Sequence, residues 1–477
     1  MRLSRRRFIA GVGAGVVAAG GRVGPALAQT PQAVEAENPY HAFTWSEIPP
    51  DCTRLTHMVW FRKDSAPAEI ARESLTRPPG KRALFTWDLH RELLRNPEDV
   101  CRTAAGEPTA FQGVWPEHGI EAIGTLFDDF LGRFKAAGGD ADWLIIDFEE
   151  GFSNWALGGA DKADHWLAIQ NDPRFPALAE KLGFSDIMLV GDWWGKREYL
   201  KWNAVMAGVV NDAIHRALFE PARRHFPNLR CSNYGADATN EANAVPDLNG
   251  HRQWSEGRPP GTHQAPSFYT WIGQLANINL DGKQPFTATP FNGLLLSVNG
   301  MRAMRRSSDM PLQPWVAWAR YAGDGPGLPP ATCGGTPYYH ELVYHLALSG
   351  VDGFLFWNPH PWRQDQDPLS MSTADDERLL DQLLGDLHQR LGGARAEPLA
   401  PTALLWDAPL IATGVRVGEE VLWRITFRPE AEPLTAQVGD QAITLVPDEG
   451  SVGAWLRHGA GQRLVIKGPT GPLELGQ

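Results

Sequence analysis

Cysteine is scarce in this sequence, and long apolar runs are missing from most of it. Only four cysteines occur in 477 residues, and Cys52, Cys101, Cys231 and Cys333 show neither a CxxC pair nor another metal-ligand spacing. In an oxidising compartment they would form one or two disulfides, and otherwise they would be buried thiols. Past the N-terminal region, no stretch approaches the roughly 20 apolar residues of a membrane span. We therefore predict neither a metal site nor a membrane span.

Several catalytic signatures are also missing. After the N-terminal region there is no Gly-x-Ser-x-Gly elbow and no phosphate-binding loop. His340 and His345 are five residues apart, so on a helix their directions differ by about 140° and they cannot share one zinc ion. We expect an ordinary helix surface there. The sequence indicates no cofactor.

The charge balance is acidic, with a formal net charge of −12. Residues 1–28 contain five arginines and no acidic residue, so the rest of the chain is more acidic still. A strongly negative protein is repelled by nucleic acid and by anionic membranes, and neither is expected as a partner.

The N-terminal residues have the features of an export signal. Arg5-Arg6-Arg7 precede a moderately apolar Gly/Ala/Val segment, which ends in Ala26-Leu27-Ala28. A basic start, an apolar middle and a small-x-small end are typical of a secretory signal, and the paired arginines favour the twin-arginine route. We predict a signal peptide over residues 1–28, a periplasmic or secreted location, and a leader over 29–54 that leads into the first domain.

From residue 55 to residue 396, apolar runs of strand length alternate with helical apolar spacing. This alternation is typical of a parallel α/β barrel, and we predict a distorted TIM-type (β/α)7-8 barrel. Residues 187–190 are either an eighth strand or a link between helices. The seven predicted strands are 55–61, 83–87, 142–147, 229–234, 266–271, 314–321 and 353–358.

The periodicity changes after residue 396. Apolar residues then occupy every second position, as at Val421, Trp423, Ile425 and Phe427, and Gly and Pro separate short runs. Such alternation predicts strands with one buried face. We expect residues 397–477 to form a small C-terminal antiparallel β-sandwich domain packed on the barrel.

The strand predicted at 142–147 ends in a group of carboxylates. A nearly continuous apolar run leads to Asp147, Glu149 and Glu150. In a strand, Asp147 and Glu149 would share a face, with Cα atoms roughly 6.5 Å apart. In a partly dry barrel mouth one of the two would keep its proton and could act as a general acid. The alternative is an acidic loop at the start of the next helix.

Other acids and aromatic residues lie at predicted strand ends. Asp88 and Asp192 each close an apolar run, where they could contact substrate or simply cap a helix. The 19 tryptophans are an unusual number. Exposed indoles stack on sugar faces, although large barrels also bury tryptophan.

The residues around Asp147 resemble a known family. Ile146-Asp147-Phe148-Glu149 followed by Trp155 is similar to the Asp-x-Glu strand end of the hyaluronidase-type glycoside hydrolases. Further similar segments follow in the same order along the chain. They are Tyr234 at a strand end, Pro266-Ser267-x-Tyr269, Pro314-x-x-Ala317-x-x-Arg320, Glu341-Leu-Val-Tyr, and a strand ending in Trp357.

The resemblance implies a role for each matched residue. Glu149 would protonate the leaving glycosidic oxygen and later act as a base toward water. Asp147 would orient the substrate's own acetamido group, which attacks the anomeric carbon, and Tyr234 and Tyr269 would hydrogen-bond around that group. Trp357 would form the floor beneath the sugar.

The sequence departs from the family pattern at two places. Glu150-Gly follows the acid where the family has Trp or an Arg/Trp-rich segment, and Trp318 stands where we expect Tyr before Arg320. Further strand-end residues expected to contact substrate are Trp318, Arg320, Asp237, Asp192, Glu150 and Asn358.

Our hypothesis is an exported glycoside hydrolase that cleaves a polysaccharide or oligosaccharide at an N-acetylhexosamine, with retention through substrate assistance. One alternative is a retaining or inverting glycosidase on a glycan without acetamido groups, with inversion using a carboxylate such as Asp192 or Asp237. A second alternative is a noncatalytic glycan-binding protein. The expected partner in every case is a carbohydrate polymer.

Overall fold

The computed structural model describes thirteen parts of the chain. They are residues 40–89, 93–147, 162–183, 197–235, 261–269, 290–307, 309–317, 336–357, 373–393, 397–399, 408–429, 434–468 and 471–475.

A parallel barrel forms the larger part of the molecule. Nine strand segments make one sheet in the order β2-β1-β11-β10-β9-β8-β7-β4-β3. The segments are β1 (His41–Thr44), β2 (Thr56–His57), β3 (Val59–Trp60), β4 (Ala83–Thr86), β7 (Trp143–Ile146), β8 (Arg230–Gly235), β9 (His263–Tyr269), β10 (Trp315–Ala317) and β11 (Gly353–Phe356), while β5 (Val100–Arg102) and β6 (Pro108–Gln112) form a separate antiparallel pair.

The barrel is completed through Met58. The two end segments of the sheet, β2 and β3, belong to one stretch of chain that only Met58 interrupts. The Met58 backbone N–H donates to the carbonyl oxygen of Thr44 on β1, and that of Phe61 donates to Phe85 on β4. Within the described ranges, eight strands therefore form the TIM-type barrel that the sequence predicts.

Strand β1 adds to the sequence prediction. It lies within 29–54, the predicted leader and barrel entry, and it pairs in parallel with both β11 and β2. Only four residues long, it is too short for a clear periodic pattern. The other candidate for an eighth strand, residues 187–190, lies outside the described residues.

Helices cover the outside of the barrel. They are α1 (Pro67–Ser74), α2 (Glu117–Ala136), α3 (Lys162–Gln170), α4 (Phe175–Leu182), α5 (Arg197–Ile214) with a π-helical turn (His215–Phe219), α6 (Glu220–His225), α7 (Pro290–Ser307), α8 (Thr336–Leu348) and α9 (Thr373–Leu391). Helix α2 shows why they form, since Ile123, Phe127 and Phe134 recur on one face and are fully buried. It ends before Gly138, whose φ of 85° provides the left-handed residue that commonly follows a helix.

Aromatic side chains fill the barrel interior. Alternate strand residues point inward, and Phe43, Phe85, Trp143 and Trp315 belong to one buried cluster. The ring of Trp143 meets that of Phe43 edge to face, with centroids 5.5 Å apart. The interior is thus a packed core and not a channel, as in other barrels of this class.

The C-terminal part forms two four-stranded antiparallel sheets, as predicted. Their orders are β12-β13-β14-β17 and β16-β15-β18-β19, and they share one cluster of buried residues. The strands are β12 (Glu397–Pro398), β13 (Leu410–Val417), β14 (Glu420–Phe427), β15 (Leu434–Val438), β16 (Gln441–Leu445), β17 (Gly453–Gly459), β18 (Leu464–Gly468) and β19 (Gly471–Leu475).

Helix α8 joins this β domain to the barrel, which corrects the expectation of an ordinary helix surface around His340 and His345. Glu341 and His345 are completely buried. The two ring nitrogens of His345 lie 2.8 Å from the hydroxyl oxygens of Thr413 and Thr426, on β13 and β14. The residues that resemble a zinc motif in the sequence therefore form a domain contact.

Candidate functional site

Four tryptophans stand at the carboxyl ends of the barrel strands. Trp45, Trp60, Trp87 and Trp357 end or directly follow β1, β3, β4 and β11, and all four are half-buried against the interior cluster. The ring centroid of Trp45 lies 4.6 Å from that of Trp60 and 6.1 Å from that of Trp357. We call these four residues the tryptophan mouth. In an α/β barrel this end of the strands is where binding and catalytic residues gather.

Three indole N–H groups in or below the mouth have no hydrogen-bond partner in the described part of the chain. They belong to Trp60, Trp87 and Trp315, and their nitrogen atoms are buried. Buried donors are normally satisfied, by protein or by water. A ligand with hydroxyl or carbonyl oxygens could accept these hydrogen bonds.

Asp147 lies at the same end of the barrel. It directly follows β7 and is 8% exposed, and its backbone N–H donates to the carbonyl oxygen of Thr86 at 3.0 Å. It shares strand parity with Trp143 and Ile145, which both point into the interior cluster. The carboxylate therefore falls on the inner side of the barrel.

Tyr234 is level with Asp147 on the neighbouring strand. The register pairs Ile146 with Asn233, so the next residues along β7 and β8 are adjacent. Tyr234 is buried, and its ring meets that of Trp315 edge to face at 5.9 Å. The structure thus brings three predicted site residues, Asp147, Tyr234 and Trp357, to one end of the barrel.

The other predicted site residues cannot be placed relative to this group. The backbone of Tyr269 ends β9 opposite Ala317, and its side chain lies outside the described residues. The same holds for the whole of Glu149, Glu150, Asp192, Asp237, Trp318, Arg320 and Asn358.

Asp88 is a further acid at this end of the barrel. It follows β4, the strand that pairs with β7, and burial raises the pKa of its carboxyl group. It accepts hydrogen bonds from the backbone N–H of Lys63 and from the Thr86 hydroxyl, the latter at 3.4 Å. The sequence allows Asp88 either a substrate contact or a helix cap, and Asp88 is not among the predicted site residues. Because Asp88 lies at the end of a strand that pairs with β7, we include it among the candidate site residues.

Trp45, Trp60 and Trp87 were also missing from the predicted site residues. Each follows a short apolar run and points to the same side of the strand as the inward residues. Trp60 lies two residues after Met58, and Trp87 lies two residues after Phe85. Parity combined with the strand end could have identified them from the sequence. The guanidinium of Arg62 lies 5.8 Å from the ring centroid of Trp87 and adds a cation beside the mouth.

The described ranges contain neither a cluster of metal ligands nor a membrane-spanning helix. Across those ranges no three His, Cys, Asp or Glu side chains converge as ligands for a metal ion. None of the helices described combines the length and the apolar character required to cross a bilayer. Cys52, Cys101 and Cys231 are free thiols, and burial raises the pKa of Cys101 to about 12.

Fold and site together define a parallel α/β-barrel protein with an aromatic, acid-bearing mouth. No family model and no curated protein matches the chain. Solved structures do match, with low TM-scores. A double mutant of the Cellulomonas fimi endo-β-1,4-mannanase is 11% identical with a TM-score of 0.29, and the match covers 92% of this chain and 94% of that one.

Two further solved structures are similar at the same level. Bee venom hyaluronidase is 13% identical with a TM-score of 0.25, over 55% of this chain and 78% of that one. A GH36 α-galactosidase from Geobacillus stearothermophilus is 9% identical with a TM-score of 0.35, over 84% of this chain and 46% of that one. The strand order by itself defines the barrel.

Proposed function

We propose that this protein is a glycoside hydrolase that cleaves a polysaccharide or oligosaccharide at the tryptophan mouth. The observation that carries the proposal is Asp147, a nearly buried carboxylate on the inner side of the barrel, at the same end as four half-buried indoles. Indole faces bind the apolar faces of sugar rings, and carboxyl groups carry out glycoside hydrolysis. Trp60 and Trp87 add N–H donors suited to sugar hydroxyls.

We assign the reaction to an N-acetylhexosamine and to substrate assistance. Glu149 acts as the general acid and then as the base, and Asp147 orients the acetamido group that attacks the anomeric carbon. Tyr234, beside Asp147, donates or accepts a hydrogen bond at the same group. This assignment follows the resemblance of the Asp-x-Glu strand end, and the level placement of Asp147 and Tyr234 supports it.

A second mechanism within the same class is favoured by Asp88. Because burial raises the pKa of Asp88, this carboxyl group keeps its proton to a higher pH than an exposed one. It could therefore act as the acid, with Asp147 as nucleophile or base, on a glycan without acetamido groups. Product stereochemistry separates the routes, because an inverted product by NMR excludes the acetamido route.

The proposal is tested by hydrolysis assays on Glu149→Gln. Purified protein is incubated with neutral and acidic N-acetylhexosamine polymers and with a mannan, and products are sized by mass spectrometry. We expect Glu149→Gln to lower kcat by about 10²-fold or more, since positioned acid–base groups contribute 10²–10⁴-fold, and to leave substrate affinity in place. Glu121→Gln, on the exposed face of α2, is the matched control and should retain full activity.

A noncatalytic glycan-binding protein is the competing function, because a tryptophan mouth alone can hold a polymer. Binding of a glycan to the unaltered protein with no product from any substrate would establish this function. The enzymatic proposal would then be wrong.

We also propose export by the twin-arginine route, on the basis of Arg5-Arg6 and the Ala26-Leu27-Ala28 site. N-terminal sequencing of protein recovered from the periplasm or medium should give a chain that begins near Gln29. Recovery of the uncleaved chain from the cytoplasm would refute this.

A further inference from the structure

A cavity of about 220 Å³ lies between the barrel helices and the β domain. Helices α7 and α8 precede strands β10 and β11, so their C-terminal ends lie at the amino ends of the barrel strands. The cavity is therefore at the end of the barrel opposite the tryptophan mouth. Its walls include Arg302, Arg305, Ser349, Pro398, Thr413 and Trp423.

The cavity lining is cationic. Among the described residues its lining contains two arginines and no acidic residue, although the chain has 56 acidic and 44 basic residues. Arg302 is 5% exposed and donates from Nη2 to the carbonyl oxygen of Ala412 at 2.6 Å. Arg305 is half-buried, and its guanidinium makes no hydrogen bond or ion pair with any described residue.

Gly350 helps to hold Arg305 in the cavity wall. Its φ of +85° is left-handed, and a Cβ atom at this position would lie 3.0 Å from Nη2 of Arg305. The missing side chain lets the guanidinium rest against the backbone that follows α8. The same Cβ atom would lie 2.4 Å from Cγ of Pro398, so Gly350 leaves room for both side chains in the cavity wall.

We propose that this cavity binds a small oxyanion, a carboxylate, sulfate or phosphate group, through Arg305 with support from Arg302. The planar guanidinium presents parallel N–H donors that match two oxygens of such a group. The volume of about 220 Å³ equals several water molecules, so it suits an inorganic anion or the acidic group of one sugar. The site is separate from the mouth and does not depend on the proposed hydrolysis.

A purely structural role for Arg305 has a different signature. Both α7 and α8 end beside the cavity, and a cation near a helix C-terminus stabilises the helix without any ligand. That role changes the stability of the protein equally with and without added anion. Only the dependence on anion concentration separates the two roles.

The test is thermal unfolding and calorimetric titration of the full chain with inorganic phosphate, glucuronate and glucose, at constant ionic strength set with chloride. A ligand that binds only the folded state raises Tm as its concentration increases. We expect a rise with phosphate, glucuronate or both, and none with glucose. Tighter binding of glucuronate identifies a sugar acid as the ligand, and tighter binding of phosphate identifies an inorganic anion.

Substitutions at Arg305 test whether the binding of anions takes place in the cavity. Arg305→Gln should weaken anion binding at least about ten-fold, as expected for the loss of a charge-assisted hydrogen bond. Arg305→Lys keeps the charge beside the helices and should restore stability while binding stays weaker than in the parent. Arg72→Gln, whose side chain is 78% exposed on α1, should bind as the parent does. No response to either anion, or an equal response in Arg305→Gln, would overturn the proposal.

Discussion

The tryptophan mouth combines apolar surface with hydrogen-bond donors in single residues. Trp60 and Trp87 are half-buried by packing on the interior cluster, and their indole N–H groups have no partner in the described ranges. Leaving a buried donor unsatisfied costs about 1–3 kcal/mol. A hydrogen-bond acceptor from water or from a bound sugar removes that cost. Each residue can therefore both stack on a sugar ring and orient it through a hydrogen bond.

Replacement of Trp87 tests this dual role. Trp87→Phe keeps an aromatic face and removes the N–H donor, so we expect KM for the glycan to rise several-fold, equivalent to about 1 kcal/mol for one hydrogen bond. Trp87→Ala should raise KM further, because stacking is lost as well.

Trp115→Phe is the control for this experiment. Trp115 packs under the guanidinium of Arg174, with 4.2 Å from Cζ to the ring centroid, and belongs to a different cluster from the mouth. Equal KM values for Trp87→Phe and the parent would show that the indole N–H does not contact the substrate.

At the scale of elements, α8 and β14 are joined by a buried ion pair. Glu341 accepts hydrogen bonds from Nε and Nη2 of Arg424 at 2.8 and 2.5 Å, and from the hydroxyl groups of Thr426 and Ser451. Asp448 also pairs with Arg424. Removing Glu341 leaves the buried Arg424 charge with Asp448, whose side chain is 46% exposed, as its remaining carboxylate partner among the described residues. Because the buried charge is then compensated only in part, breaking the pair destabilises the fold by more than the net gain of the pair suggests.

Two Glu→Gln variants compare this pair with an exposed one. Glu341→Gln should lower the free energy of unfolding by about 3 kcal/mol, because the Arg424 charge stays buried. Glu117→Gln breaks the Glu117–Arg216 pair, whose side chains are 64% and 39% exposed, and should cost less than about 1 kcal/mol. Urea unfolding gives both values, and similar losses would contradict the buried role of Glu341.

Some elements were beyond prediction from local sequence. Strand β1 has four residues, and β5 and β6 form a hairpin with a bulge at sites where the sequence shows no clear alternation. The pairing of β1 depends on a partner distant in sequence, β11, while β5 and β6 pair locally through an irregular register. Long elements such as α2 were predictable because many apolar residues repeat on one face.

At the scale of the whole molecule, His345 connects folding to pH. It is fully buried between barrel and β domain, and burial holds its pKa well below the ordinary value of 6.5. Arg424 and Arg302 act in the same direction, while Glu341 lies 4.0 Å away. The folded protein therefore keeps this imidazole neutral.

The stability of the protein should consequently fall in acid. The unfolded chain takes up a proton at His345 below about pH 6.5, while the folded chain does not, so the folded state is disfavoured as the pH decreases. For this residue alone, the free energy of unfolding should fall by up to about 1.4 kcal/mol for each pH unit below 6.5. Above pH 6.5 the imidazole is neutral in both the folded and the unfolded chain, so this loss of stability is absent. Burial also lowers the pKa of His57 and His340, which contribute in the same sense.

Denaturant unfolding between pH 5 and 8 measures this slope. His345→Gln should flatten it, and replacement of the exposed His215 by Gln should leave it unchanged. An unaltered slope in His345→Gln would contradict the account of the buried imidazole.

The sequence by itself determined the class of fold and the change from barrel to β domain, and it predicted a carboxylate, Asp147, at the end of a central strand. These features follow from apolar periodicity, which is local and can be read along the chain. Only the tertiary structure decided that β1 completes the barrel, that Glu341 and His345 are buried, and that four tryptophans gather in one mouth. Each of these depends on contacts between residues far apart in sequence, because closing a ring of strands brings together side chains that no local pattern relates.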